Sequence, residues 1–323
     1  MVAVAAIATF WIMTPLNIIV FPLVALATSW RFITIAYWTG YSVFYWITSD
    51  MPFKGGIPVH FCRTCWPWPA IRDYFSHTIV KTAELPPDRN YIMGSHPHGV
   101  LSIGGTLAFL GKVSDFDELF PGLSTCLTTL DGQFTFPWRR EAAMFIGAVS
   151  SSEKSLEYIF TNPGHGRAVT IVIGGLSECL ISRPNQHNIK IRGRKGFIRQ
   201  ALLYGVSLVP CYHFGETHLY EMQTGADEQG LKNMIARLRN ILGFVPPLLK
   251  GRSLFGSPFG GIIPFRRPVT SVIGAPIHVE QVDEPTQEQI DELHERYCKA
   301  LCDLFEEHKA KYNISLDTHL NLF

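Results

Sequence analysis

Charged side chains are scarce in this chain. Asp, Glu, Lys and Arg make up 17% of its 323 residues, whereas about 25% is usual. Hydrophobic residues reach 47%, and the shortage of charge indicates contact with membrane lipid. The formal net charge is only +1. The chain therefore lacks the basic excess of a nucleic-acid-binding protein, and no nucleic acid is expected as a partner.

Several motifs are also absent. The sequence has no G-x-x-x-x-G-K-[ST] loop, no G-x-G-x-x-G fingerprint and no G-x-S-x-G elbow, which argues against nucleotide hydrolysis, a nicotinamide enzyme and a serine hydrolase. Its seven cysteines are scattered and odd in number, so reduced thiols facing the cytosol are favoured over a disulfide framework. His60, Cys62 and Cys65 resemble half of a zinc site. No second Cys/His pair follows at finger-like spacing, so no metal is expected.

The N-terminal part contains the longest apolar stretches. Residues 1–30 carry no charge, and residues 10–30 are long enough to cross a bilayer despite Pro15 and Asn17. Residues 32–47 form a second, aromatic-rich stretch. We predict a transmembrane helical hairpin in 1–50, or one span followed by an interfacial segment, anchoring a domain at 51–323. A cleaved signal peptide ending near Ala27 is the competing interpretation, but it would lack a basic n-region.

After residue 76, strand and helix patterns alternate along the chain. Apolar runs predict strands at 89–95, 123–130, 168–173, 207–212 and 269–273. Helices are predicted at 139–146, 152–160 and 196–204, along an apolar stripe at 231–242, and in a C-terminal segment whose capping box is Thr286 and Gln289. This alternation predicts an α/β domain with a mostly parallel central sheet flanked by helices. Residues 51–75, rich in Pro, Gly and Trp, are predicted to be an irregular connection. It either lies at the membrane interface through Trp66 and Trp68 or packs as an ordinary linker.

Titratable side chains follow three of the predicted strands. His96 and His98 come at the end of the first, with Gly99 allowing a turn or the close approach of a ligand. Glu178 follows Gly174 and Gly175 after another strand, and a third ends in His213 and Glu216. Packed histidines and a helix-capping glutamate are the structural alternatives. Because parallel strands end at one edge of a sheet, we expect these groups to form one site for proton transfer.

A basic cluster lies between the last two of these strands, at Arg192, Arg194, Lys195 and Arg199. Such a cluster suits the phosphates of a polyanionic cofactor or substrate. Solvated charge, or contact with lipid headgroups, is the alternative interpretation.

Several blocks of the sequence occur together in one order: 72–75 (RDYF), 89–99 (RNYIMGSHPHG), 172–178 (VIGGLSE), 194–198 (RKGFI), 214–216 (FGE), 251–255 (GRSLF), 263–265 (IPF) and 268–274 (PVTSVIG). In these blocks the chain resembles the type-2 diacylglycerol acyltransferase family, which includes monoacylglycerol and wax alcohol acyltransferases. The resemblance runs from about residue 30 to the C-terminus. Two departures, Ser76 in place of the family's proline and Leu176-Ser177 in place of an alanine-rich loop, leave the acceptor preference open.

The resemblance implies transfer of a fatty acyl group from acyl-CoA to diacylglycerol, giving triacylglycerol, with no cofactor because acyl-CoA is a substrate. Monoacylglycerol and long-chain alcohols are alternative acceptors, and a non-catalytic lipid-binding protein is a remote alternative. It also implies the endoplasmic reticulum membrane and lipid droplets as locations. Lys54, Arg63 and Arg72, which follow the N-terminal apolar stretches, favour a domain facing the cytosol. The oligomeric state, including a homo-oligomer, is left open.

The mechanistic hypothesis assigns a role to each group. His98 or His96 takes the proton of the acceptor hydroxyl, with His98 favoured because Gly99 leaves its surroundings more open. Glu178 orients that histidine or holds the hydroxyl. Two groups of residues are expected to bind substrate. The N–H groups of Gly99, Gly174 and Gly175, together with that of Gly104, can stabilise an oxyanion. The side chains of Arg194, Lys195 and Arg199 bind the phosphates of CoA.

Overall fold

The computed structural model describes residues 22, 23, 25, 27, 30–179, 181–222, 249–253, 261 and 263–323. The strands of this part of the chain are β1 Thr78–Lys81, β2 Tyr91–His96, β3 Ser124–Thr129, β4 Ala148–Ser150, β5 Arg167–Val172, β6 Asn188–Ile189, β7 Ser207–Phe214, β8 Glu221–Met222, β9 Leu249–Lys250, β10 Thr270–Ile273 and β11 Asn321–Leu322. The α-helices are α1 Arg31–Ile47, α2 His60–Thr64, α3 Pro67–Tyr74, α4 Ile103–Phe109, α5 Phe116–Leu119, α6 Arg139–Phe145, α7 Glu153–Thr161, α8 Gly175–Cys179, α9 Gly196–Tyr204 and α10 Gln287–His308.

The central sheet is mostly parallel. Its strand order is β1-β10-β7-β2-β5-β3-β4 within the described residues. The five strands from β7 to β4 run in one direction, and β10 and β1 run in the other. The predicted α/β class with a mostly parallel sheet is therefore confirmed. As a consequence, β2, β5 and β7 all end at the same edge.

Both faces of the sheet are covered, as successive side chains of β2 illustrate. Ile92 packs into a cluster with apolar residues of α7, α9 and α10. Its neighbours Tyr91 and Met93 pack on the other face with Phe109 of α4 and Phe116 of α5. Because strand side chains alternate between faces, this division places β2 in the middle of the domain. The end of β2 is therefore enclosed between neighbouring strands and two packed faces.

The predicted elements agree with the structure to within two residues at each strand end. The helices predicted at 139–146, 152–160 and 196–204 are α6, α7 and α9, and the Thr286–Gln289 capping box opens α10 as expected. The apolar stripe predicted at 231–242 lies outside the described residues. The elements that were not predicted include β1 and β4, which are short edge strands, and α4, which directly follows the two histidines.

Residues 51–75 correct a prediction. Instead of an irregular connection, they form a 3₁₀ turn, Met51–Phe53, and the helices α2 and α3. The prolines in this segment suggested irregular structure. Pro67, however, occupies the first turn of α3, where the missing N–H would have no partner within the helix. Trp66 is 68% exposed, but Trp68 is 7% exposed and its Nε1 donates a 2.7 Å hydrogen bond to the Cys62 carbonyl oxygen. Trp68 therefore belongs to the protein core and not to an interface.

Helix α1 is attached to the domain along a narrow stripe. The Tyr41 hydroxyl donates to the Glu141 carboxylate at 3.0 Å, and Arg140 lies 4.7 Å from the centre of the Tyr45 ring. Most of the remaining surface of α1 is apolar and exposed. Among the described residues, no helix is both long and apolar enough to span a bilayer. Residues 10–21 lie outside the described part, so the transmembrane hairpin stays a prediction.

Candidate active site

His98 lies in the loop that connects β2 to α4. Its Nδ1 donates a hydrogen bond to the Gly99 carbonyl oxygen at 3.1 Å. In the neutral ring the other nitrogen, Nε2, then carries the lone pair and can accept a proton. The side chain is half-buried, and burial lowers the pKa of His98 below its usual value. The imidazole is therefore neutral near pH 7, with the lone pair of Nε2 in position to accept a proton.

Glu178 fixes the main chain of this histidine. The carboxyl group is 1% exposed. Its Oε1 accepts the His98 N–H at 2.5 Å, and its Oε2 accepts the Lys190 N–H at 2.9 Å. Burial raises the pKa of Glu178 to about 7, although both hydrogen bonds oppose the increase. Glu178 was expected to orient an imidazole or hold a hydroxyl, and what it contacts in the structure is the backbone that carries His98.

Gly174 makes room for the Glu178 carboxylate. A Cβ atom at Gly174 would lie 2.0 Å from Oε2 of Glu178. Gly175 then turns the chain at a φ of +57° into α8, which carries Glu178. The pair of glycines therefore lets a carboxylate fold back against the end of β5, within reach of the neighbouring loop.

His96 is separated from the surface. It is the last residue of β2 and has no solvent exposure. Its Nε2 is hydrogen-bonded to the Tyr297 hydroxyl of α10 at 3.1 Å, and burial lowers the pKa of His96 to about 3. The Tyr297 hydroxyl also donates a hydrogen bond to the Gly94 carbonyl oxygen at 3.3 Å. A Cβ atom at Gly94 would lie 1.8 Å from the Tyr297 hydroxyl oxygen, so any other residue there would displace that hydroxyl group. In this position His96 is a neutral part of the core.

Glu216 and His213 belong to two separate hydrogen-bond networks at the end of β7. The Glu216 carboxylate accepts the N–H groups of Ile103 at 3.0 Å and Gly104 at 2.7 Å. The Gly104 N–H is therefore occupied, which removes it from the candidates for an oxyanion hole. His213 bridges the hydroxyls of Ser95 and Ser271, each at 2.8 Å. Both residues are buried behind the His98 loop.

The basic cluster divides into members with and without acidic partners. Lys195 Nζ lies 2.6 Å from the Asp291 carboxylate, and Arg192 lies 3.5 Å from that of Glu295. Arg194 donates to the Ser177 hydroxyl at 3.0 Å, next to Glu178, and its charge lowers the pKa of that carboxyl group. Arg199 is exposed on α9. Arg194 is thus the basic side chain that the structure brings closest to Glu178 among those predicted.

Two groups that support the site residues were not predicted from the sequence. The Lys190 main chain and the Tyr297 hydroxyl both touch site residues. A backbone N–H leaves no trace in a sequence. Tyr297 occurs within the apolar stripe of α10, where its hydroxyl looked incidental.

Comparison with known proteins gives a consistent result. The family described as Diacylglycerol acyltransferase matches residues 23–323. Human 2-acylglycerol O-acyltransferase 3 is 39% identical over 87% of this chain and 83% of its own length. Bovine (Bos taurus) 2-acylglycerol O-acyltransferase 1 is 40% identical over 93% of this chain and 90% of its own. Human diacylglycerol O-acyltransferase 2 is 37% identical over 87% and 72%, respectively.

Among solved structures, the chain is similar to the 1-acyl-sn-glycerophosphate (LPA) acyltransferase PlsC from Thermotoga maritima. The sequence identity is 14%, the TM-score is 0.41, and 93% of each chain is covered. At this TM-score the likeness supports no inference about the site.

Proposed function

The chain belongs to the diacylglycerol acyltransferase family, and we propose from this premise that it transfers a fatty acyl group from acyl-CoA to diacylglycerol, giving triacylglycerol. One observation carries the chemistry: His98 presents a neutral, half-buried imidazole with Nδ1 engaged and Nε2 left to accept a proton. A general base of this kind is what a hydroxyl acceptor requires.

The reaction needs one base and no covalent intermediate. His98 Nε2 takes the proton of the acceptor hydroxyl while its oxygen attacks the thioester carbonyl carbon. The tetrahedral intermediate then collapses, the carbon–sulfur bond breaks, and the CoA thiolate takes the proton from the imidazolium. The N–H groups of Gly99, Gly174 and Gly175 are the candidates for stabilising the oxyanion, an effect worth about 3 kcal/mol per donor.

The phosphates of CoA require cations near the same edge of the sheet. We assign Arg194 the nearest position, because it lies beside Ser177 and Glu178. Lys195 and Arg199 extend the basic surface along α9, and an incoming phosphate would compete with Asp291 for Lys195. Glu178 supports the base by fixing the His98 backbone.

Monoacylglycerol is the second candidate acceptor. Relatives named 2-acylglycerol O-acyltransferase share 39% and 40% identity with this chain, compared with 37% for human diacylglycerol O-acyltransferase 2. In the test, purified enzyme in lipid vesicles receives labelled acyl-CoA with diacylglycerol, 2-monoacylglycerol or a long-chain alcohol in parallel. We expect labelled triacylglycerol at the highest rate. Preferential labelling of diacylglycerol or wax ester would reject the proposed acceptor.

We further propose that α1 lies in contact with membrane lipid, with the endoplasmic reticulum membrane, facing the cytosol, and the lipid droplet surface as locations. The support is its exposed apolar surface, which includes Ile33 at 64% and Trp46 at 77% exposure. A photo-crosslinking amino acid at either position should form lipid adducts in microsomes, detectable by mass spectrometry. Leu316, an equally exposed apolar residue at 72%, is the matched control and should give none. Equal labelling at all three positions would contradict the proposal.

A further inference from the structure

Glu216 is a buried carboxylate for which the proposed mechanism has no role. The residue is 2% exposed and follows the end of β7. Gly215 turns the chain at a φ of +94°, where a Cβ atom would lie 2.2 Å from the Pro268 carbonyl oxygen. Only glycine fits this tight turn, which aims the Glu216 side chain towards the loop after β2.

The Glu216 carboxylate meets both ends of the turn that follows His98. Its two oxygens accept the N–H groups of Ile103 and Gly104, the first residues of α4. On the other side, a Cβ atom at Gly99 would lie 2.6 Å from the Glu216 side chain. Glu216 therefore fills the inside of the turn and fixes its exit.

The same turn reaches back to His98. The Ser102 N–H donates to the His98 carbonyl oxygen at 3.0 Å, and Ser102 itself has a φ of +50°. The His98 N–H is held from the other side by Glu178. The peptide groups on both sides of His98 are thus fixed, one directly by Glu178 and the other through Ser102 and the start of α4.

We propose that Glu216 is a positioning residue for the acyl transfer, which holds the turn 99–104 so that the His98 imidazole keeps its orientation. The inference rests on the proposed function of His98. Glu216 is too deeply buried to touch substrate, so its effect is exerted on the loop. A buried carboxylate with only backbone partners costs folding free energy, and its benefit here is the geometry of the base.

The test compares Glu216→Gln with Glu221→Gln in the full chain. Glutamine is isosteric but presents an NH₂ group to one of the two backbone donors. We expect kcat to fall about tenfold, because a small displacement of a catalytic group slows the reaction strongly, while KM for acyl-CoA changes less than twofold. Glu221, exposed and paired with Lys250 at 3.2 Å, is the matched control and should leave both constants unchanged.

Hydrogen exchange measured by mass spectrometry provides the second readout. In Glu216→Gln, amides of the peptide that contains Ile103 and Gly104 should exchange faster, while peptides of β3 and α10 should not change. If Glu216→Gln does not accumulate as a folded protein, Glu216→Asp replaces it, because it keeps the charge but falls one methylene short of the turn. The same pattern of exchange and kcat is expected.

Two outcomes would overturn the inference. One is faster exchange of the turn with unchanged kcat, which would make Glu216 purely structural. The other is a loss of activity that only follows the folded fraction, with exchange raised throughout the chain. Both are distinct from failure of the proposed function, in which the unaltered enzyme transfers no acyl group or His98→Ala remains active.

Discussion

Replacing His98 by alanine is expected to lower kcat by a factor of about 10² to 10⁴, the usual contribution of a general base. The acceptor hydroxyl then has no group to take its proton as it attacks the thioester. His98 is half-buried and its ring bonds only the neighbouring Gly99 carbonyl among the described contacts, so the fold should survive. Turnover of labelled acyl-CoA by purified protein, with the melting temperature recorded in parallel, measures the effect.

Two other histidines serve as comparisons for His98→Ala. His165 lies exposed in the turn before β5, and His165→Ala should leave kcat and the melting temperature unchanged. His96→Ala should lower the melting temperature, because it opens a cavity and removes the hydrogen bond to Tyr297. The assignment of the base fails if His98→Ala keeps more than a tenth of the activity. His96 would instead be the base if a folded His96→Asn variant is inactive while His98→Ala remains active.

In the sequence, only Gly99 favoured His98 over His96 as the base. Both histidines follow an apolar run and both flank Pro97, so their spacing did not distinguish them. The structure separates them because His96 still belongs to β2, where its ring points into the core against Tyr297. His98 lies beyond the strand end. A shift of two residues along the chain thus decides whether an imidazole reaches the surface.

The convergence of the site was predictable, but its contacts were not. Parallel strands must end at one edge, and β2, β5 and β7 bring His98, Glu178 and Glu216 there as expected. The partners of both carboxylates are backbone N–H groups, whose positions depend on the turns at Gly99, Gly175 and Gly215. Such turns depend on tertiary packing, so the periodicity of apolar residues in the sequence does not predict them.

The second large effect is expected from Glu178→Gln. The charged carboxylate accepts two backbone N–H groups, and the amide can accept only one while its NH₂ opposes the other. Hydrogen bonds to charged groups are worth about 1.5–3 kcal/mol. We therefore expect kcat to fall about 10- to 100-fold, since the His98 backbone loses its anchor. Steady-state kinetics with acyl-CoA measures the change, and Glu280→Gln, at an exposed position, is the matched control.

The same substitution should change how stability depends on pH. The pKa of Glu178 is raised from 4.5 to about 7 in the folded protein, so the folded state binds the proton more tightly than the unfolded state. This group's contribution to stability is complete below pH 4.5 and is lost as the pH rises to about 7. At 1.36 kcal/mol per pKa unit, the loss is roughly 3 kcal/mol. Glutamine cannot titrate, so the melting temperature of Glu178→Gln should fall less than that of the unaltered protein between pH 4.5 and 7.

Activity should depend on pH in the opposite direction to stability. Protonation of Glu178 as the pH falls through about 7 removes an acceptor from the His98 or Lys190 N–H, so kcat should decline on the acid side. Burial also raises the pKa of Glu216 to about 7, so protonation of Glu216 adds to this decline. Any decline of kcat at acid pH that remains in Glu178→Gln is therefore attributed to Glu216. In a variant carrying both glutamines, the already lowered kcat should then decline further with falling pH only where His98 itself is protonated. If the acid limb of Glu178→Gln matches that of the unaltered enzyme, the ionised Glu178 carboxylate does not hold the base in place.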